Sequence, residues 1–220
     1  MSVAVEISNP DKALFPDGLT KAELARYYER IAETMLPHVR GRPVHMQRFP
    51  DGIEGEEIQQ KQAPDYVPDF VERVRVKRKR GGSVEHVVIE NAPLDRSAGF
   101  DEARAFAREL AALLAEREPK RFTVEQRKEK RRSRLYLDTA RNAYAQTAVA
   151  PYAVRALRDA PVACPLGGWR ELGRVAPQQF TVRNIARRLA RKDDPWAQIE
   201  HDARALAEPR QRLERLEERS

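Results

Sequence analysis

The 220-residue chain has one cysteine, Cys164. That excludes an intrachain disulfide and any zinc site built on paired cysteines, and it suits a reducing compartment. The four histidines, His38, His45, His86 and His201, are scattered without the spacing of metal ligands. Aromatic residues make up only 7%. No apolar run approaches the roughly 20 residues of a membrane span. The start, Met1-Ser2-Val3-Ala4-Val5, lacks the basic region and long apolar core of a secretory signal. These absences predict a cytoplasmic protein, and the length suits one domain with a sizeable core.

Charge is what the chain has in excess. Charged residues make up 34%, the formal net charge is +7, the pI lies near 9.7 and the mean hydropathy is −0.71. Such a surface favours an anionic partner, with nucleic acid ahead of membrane.

The stretch at 134–155 organises the rest. Leu135, Tyr136 and Leu137 are β-compatible, and residues 147–152 form a second apolar run that Pro151 closes. The pattern predicts two short strands joined by a polar connection. Asp138 ends the first strand, with Arg134, Arg141 and Arg155 around it in sequence. An acid among cations at a strand end suits a site that holds a metal against phosphates. An ion-paired surface aspartate is the plainer alternative.

Upstream, Thr20-Lys21-Ala22-Glu23 has the form of a capping box, and Leu24, Tyr27, Tyr28, Ile31 and Met35 make one apolar stripe of the helix that follows. Lys21 falls in the first turn, where the helix dipole disfavours a cation. It is either solvated there or part of a phosphate site, with free helix N–H groups, Lys21 and Lys12 converging on one anion. A strand is predicted at 44–48, then a loop at 49–61. Residues 71–80 alternate apolar and basic, turn at Gly81-Gly82 and return at 85–90 as a hairpin. An amphipathic helix is predicted at 101–117, facing inward through Phe106, Leu110, Leu113 and Leu114. Thr181 is placed as the cap of a short helix, and Asp194-Pro195 as the start of another that Pro209 interrupts. Residues 209–220 read as a charged tail or linker.

The stretch at 134–155, the opening Asn9-Pro10-Asp11-Lys12-Ala13-Leu14-Phe15-Pro16 and the Gly41-Arg42-Pro43 segment resemble the polymerase domain of bacterial ligase D. That family belongs to the archaeo-eukaryotic primase superfamily and serves in non-homologous end joining, and the resemblance covers nearly the whole chain. It implies an α/β (α+β) fold with a mixed, largely antiparallel sheet flanked by helices, over residues 1–208. It further implies that Lys12 and Lys21, with Asn9 as a weaker candidate, hold the 5′-phosphate of DNA. Arg48, Arg127, Lys128, Arg141 and Arg155 would line the backbone or the cleft, and Asp138 would be a catalytic metal ligand for Mn2+ or Mg2+.

The chain departs from the family at two places. Where relatives carry an aromatic step that stacks on template bases, it has Glu57-Ile58. Where relatives carry a catalytic strand with Asp-x-Asp and a nucleotide-binding Ser-x-Ser-Lys-Gly-x-His-type segment, Asn91-Ala92 runs straight into Pro93-Leu94-Asp95. A central segment is therefore missing at about residues 92–94, and no Asp-x-Asp occurs anywhere in the chain. One carboxylate cannot hold two dications about 3.5–4 Å apart. The expected function is recognition of double-stranded DNA ends or gaps through a 5′-phosphate, with nucleotidyl transfer lost. The alternatives are an active primase-like polymerase that uses NTPs at breaks, and an interaction module for a ligase domain or an end-binding repair protein. The expected setting is the cytoplasm of a bacterium, at the nucleoid.

Overall fold

The computed structural model describes residues 6–78, 81–89, 99–140, 146–199, 201 and 205–218. The chain divides into two compact units: residues 1–94 with 149–200, and residues 95–148 with 201–220.

In the first unit the capping box forms as its sequence dictates. The Thr20 hydroxyl accepts the Glu23 N–H at 3.2 Å, and the Glu23 carboxylate accepts the Thr20 N–H at 2.8 Å. Helix α1, Lys21–Val39, follows from it. Tyr27 and Ile31 of the apolar stripe are buried and pack with Phe15, Leu19, Tyr152, Ala160, Val162, Val182 and Ile185 into one core. The Tyr27 hydroxyl donates to the Tyr152 carbonyl at 2.6 Å, which ties the helix to the segment at 149–154.

After α1 the chain enters β1, Arg42–Pro43, and β2, Met46–Arg48. The strand expected at 44–48 is thus shorter and shifted. The expected loop at 49–61 ends in a strand, β3, Ile58–Gln60, which pairs antiparallel with β2, Arg48 opposite Ile58. Strand β4, Arg73–Lys77, and β5, Ser83–Ile89, form the predicted hairpin. Gly81 and Gly82 take φ of 92° and 75° at its turn, a region that only glycine occupies without strain. Strand β1 pairs antiparallel with the other edge of β5, giving the order β1-β5-β4.

Two predicted elements of this unit do not form. Residues 147–152 are irregular and not a strand. Pro151 offers no ladder N–H, the run is rich in alanine, and Tyr152 sits fully buried at φ 65° in a turn. Residues 195–199 are a string of turns in place of a helix. The short helix α4, Ile185–Leu189, is present, but its N-cap is Asn184, while Thr181 accepts the Arg183 N–H in a turn. Ahead of it lies α3, Trp169–Leu172.

The second unit holds α2, Phe100–Arg117, as predicted. Leu113 and Ala111 are its buried residues, whereas Leu110 and Leu114 are about one-third exposed. Strand β6, Phe122–Thr123, pairs in parallel with β7, Leu135–Tyr136, across a connection that contains a 3-10 turn at Lys128–Lys130. Helix α5, Ala207–Glu217, takes up most of the segment read as a tail. Pro209 lies in its first turn, where a missing N–H costs nothing. Leu213 of α5 is buried, and Arg210 reaches Glu109 of α2 at 3.4 Å. The architecture is mixed α/β with mostly antiparallel pairing and flanking helices, as expected. The junction at about 92–94 lies outside the described residues.

Candidate functional site

A cavity of about 380 Å3 opens in the first unit, and Asn9, Lys12, Lys21 and Arg48 all line it. The sequence proposed three of these as one phosphate site and Arg48 as a DNA contact. Folding places all four around the same hollow. The remaining lining is apolar or neutral, including Phe15, Leu24, Tyr28, Gln47 and Ile53, and contains no carboxylate.

Local structure explains the convergence. Asn9 takes φ 50°, and its carbonyl accepts the Lys12 N–H at 3.1 Å, so the chain doubles back over the start of α1. The Lys12 and Pro10 carbonyls then accept the Lys21 and Ala22 N–H groups, each at 2.9 Å. Together with the Thr20–Glu23 bond, this occupies the first three N–H groups of the helix. The expected free helix N–H groups are therefore absent, because the loop itself caps the helix. Any anion here is held by side-chain cations.

Those cations rest on weak partners. Lys12 lies 3.2 Å from a carboxylate oxygen of Asp51, whose side chain is 80% exposed. Lys21 donates to the Ser8 carbonyl at 2.8 Å and hydroxyl at 3.0 Å. Exposed pairs of this kind contribute at most about 1 kcal/mol, so a phosphate can displace them. Arg48 donates to Gln60 at 2.9 Å across the β2–β3 pair and lies 5.8 Å from the Tyr66 ring centre. Two polar residues of the cavity, Tyr28 and Gln47, were not singled out as site residues. Tyr28 reads as core in the helical stripe, yet it is 38% exposed, and its hydroxyl accepts the Val154 N–H at 3.3 Å.

Glu57 and Ile58 flank the same hairpin. Glu57 accepts a hydrogen bond from Gln47 at 3.0 Å, and Ile58 is 37% exposed at the start of β3. Arg155 belongs to this unit and is exposed, although its neighbours Val154 and Ala156 line the cavity.

Asp138 lies in the second unit, exposed just after β7. Its Oδ1 accepts the Ala140 N–H at 2.9 Å. Among the described residues no three His, Cys, Asp or Glu side chains gather to hold a metal ion. This donor set does not fit a pair of Mn2+ or Mg2+ ions. Arg127 and Lys128 are exposed at the 3-10 turn, where the Arg127 N–H is held by Glu125 at 2.9 Å. Hydrogen bonding to that N–H holds the Glu125 carboxyl below its usual value. Arg141 lies outside the described residues.

The family model for the LigD primase-polymerase domain matches residues 20–94 and 86–196, which together take in most of the chain. The chain belongs to the LigD primase-polymerase family. The multifunctional non-homologous end joining protein LigD of Mycolicibacterium smegmatis is 24% identical over 278 residues, covering 90% of this chain and 36% of that protein. The LigD of Pseudomonas aeruginosa is 26% identical over 275 residues, covering 89% and 33%. The bifunctional LigD of Bacillus subtilis is 33% identical over 88 residues, 40% of this chain. The chain thus spans about a third of the length of the full-length relatives that match most of it.

A solved polymerase domain of Mycobacterium tuberculosis ligase D, in complex with DNA, superposes with a TM-score of 0.82 at 22% identity, covering 91% of this chain and 99% of that one. The fold is therefore that of the LigD polymerase domain. The M. smegmatis alignment runs over 278 positions, more than the 220 residues of this chain, and the two family-model stretches overlap at 86–94. Among the described residues no helix is long and apolar enough to cross a membrane.

Proposed function

We propose that this LigD primase-polymerase homologue recognises DNA ends or gaps through a 5′-phosphate and no longer transfers nucleotides. The observation that carries this is the shared cavity of Asn9, Lys12, Lys21 and Arg48, which is cationic and free of lining carboxylates. A phosphate oxygen would replace Asp51 on Lys12 and Ser8 on Lys21. Arg48 would contact the adjoining backbone. Arg127, Lys128, Arg141 and Arg155 supply further charge for sequence-independent attraction to DNA. Loss of transfer follows from the acids. Asp138 is the one carboxylate left at a family catalytic position, and divalent ions at a two-metal centre need several. The protein would act in the bacterial cytoplasm, at the nucleoid.

The test is fluorescence anisotropy with gapped duplexes that carry a 5′-phosphate or a 5′-hydroxyl, across a salt series. The phosphorylated duplex is expected to bind more tightly. Lys21→Ala is expected to remove that preference, a loss of roughly ten- to a hundredfold for one charge-assisted contact. Equal binding of both duplexes by the unaltered protein would overturn the reading and leave only a basic surface.

A further inference from the structure

The second unit contains a cavity of its own, about 240 Å3, under α2. Arg104 and Arg108 project into it from successive turns of α2, facing Gln126, Tyr136 and Thr139. Two cations at this spacing repel one another by a few tenths of a kcal/mol. Neither arginine pairs with an acid among the described residues, and no carboxylate lines the cavity. The acids adjacent in sequence to lining residues carry other bonds: Glu109 pairs with Arg210 at 3.4 Å, and Asp138 Oδ1 accepts the Ala140 N–H and Glu125 Oε1 the Arg127 N–H, each at 2.9 Å. The Arg104 Nε atom is buried with no hydrogen-bond partner. Buried donors in native proteins are rarely left so, and an orphan of this kind points to an absent acceptor.

The wall opposite α2 is fixed in place. Arg131 lies 4.1 Å from the Tyr136 ring centre and donates to the Glu125 and Gln126 carbonyls at 3.1 and 2.7 Å. The cavity is thus held open, rimmed by donors and positive. We propose that it binds a phosphate or diphosphate group, with the planar guanidinium of Arg104 as a bidentate donor, Arg108 as the second charge and Gln126, Tyr136 and Thr139 completing the shell. Its volume is several times the roughly 30 Å3 of a water molecule, enough for such a group. This site shares no residue with the cavity of the first unit.

The experiment is calorimetric titration of the full chain with inorganic pyrophosphate. The decisive variant is Ala112→Glu, which puts a carboxylate on the exposed rim of the cavity at a helical position that tolerates glutamate. Arg108→Ala is the second, also exposed, and thermal melts of both check folding. Each is expected to weaken pyrophosphate binding roughly ten- to a hundredfold. Because the first cavity also takes phosphate in the reading above, both variants are made on a Lys21→Ala background, in which pyrophosphate binding at the second cavity is expected to persist. Competition by a nucleoside triphosphate or by a 5′-phosphorylated oligonucleotide then identifies the natural carrier of the group, and displacement by either supports the site. Absence of pyrophosphate binding by the Lys21→Ala background, or normal binding when Ala112→Glu is added to it, would each overturn it.

Discussion

His38 and Asp194 meet at 2.6 Å although 156 positions separate them. The other carboxylate oxygen of Asp194 accepts the Tyr152 hydroxyl at 2.6 Å and the Trp196 N–H at 3.1 Å. Tyr152 in turn accepts the Tyr27 hydroxyl on its carbonyl. The second turn and the C-terminal end of α1 are thereby tied to the later half of the unit, through side chains that are almost wholly buried. Tyr152→Phe removes one donor from this buried chain and is expected to lower stability by about 1–3 kcal/mol. Urea denaturation measures it. No change in the midpoint would show that the network contributes nothing.

Acid stability should follow two carboxylates. The Arg188 and Lys192 side chains and the Gly167 N–H hold the Glu171 carboxyl down to about 2 from an ordinary 4.5. Burial raises the Asp194 carboxyl, but bonds from Tyr152, His38 and Trp196 outweigh it, and the net direction is down. Between pH 4.5 and about 2 the unfolded chain takes up a proton at Glu171 that the folded chain refuses. Stability is fully present above that window and declines as pH falls through it. Glu171→Gln is expected to flatten this decline in melts run at stepped pH, and an unaltered slope would count against the ion pair.

The capping box offers a third test. Thr20→Ala removes the acceptor for the Glu23 N–H and is expected to cost about 0.5–2 kcal/mol. Circular dichroism melts read it out.

Metal affinity should be poor. Titration of Mn2+ followed by electron paramagnetic resonance is expected to show no tight stoichiometric site, since among the described residues no three His, Cys, Asp or Glu side chains gather to hold a metal ion. A one-to-one site that Asp138→Ala abolishes would restore the polymerase alternative, above all if primer extension accompanied it.

Removing Arg127 and Lys128 together is expected to weaken DNA binding alike for all sequences and to reduce the salt slope by about 1–2, while 5′-phosphate preference persists. Selective loss of that preference would instead put these residues at the end-recognition site.

Local signals were legible in the sequence where the chain itself enforces them. The Thr20–Glu23 box, the periodicity of α2 and the Gly81-Gly82 turn each depend on residues within a few positions, and each appears in the fold. The convergence of Lys12, Lys21 and Arg48 needed more than the helix start, because Arg48 arrives on β2 by way of the β2–β3 pairing. Tyr152 could not be placed from its neighbours, since its burial is decided by Tyr27 and Asp194, far away in sequence. The free N–H groups expected at α1 failed for a similar reason: the acceptors are carbonyls of Pro10 and Lys12, and backbone acceptors leave no trace in residue identity. Arg104 and Arg108 read simply as the polar face of a helix until the wall opposite them is in view.

Each compact unit is assembled from two stretches interrupted by the other. During synthesis, the partners of Tyr27 emerge from the ribosome well over a hundred residues after it, and α2 waits almost as long for α5. At about 5–20 residues per second the early stretch stays incomplete for many seconds, with its apolar stripe uncovered. Chaperone dependence in the cell, and slow recovery after denaturant is diluted away, are the penalties of such interleaving.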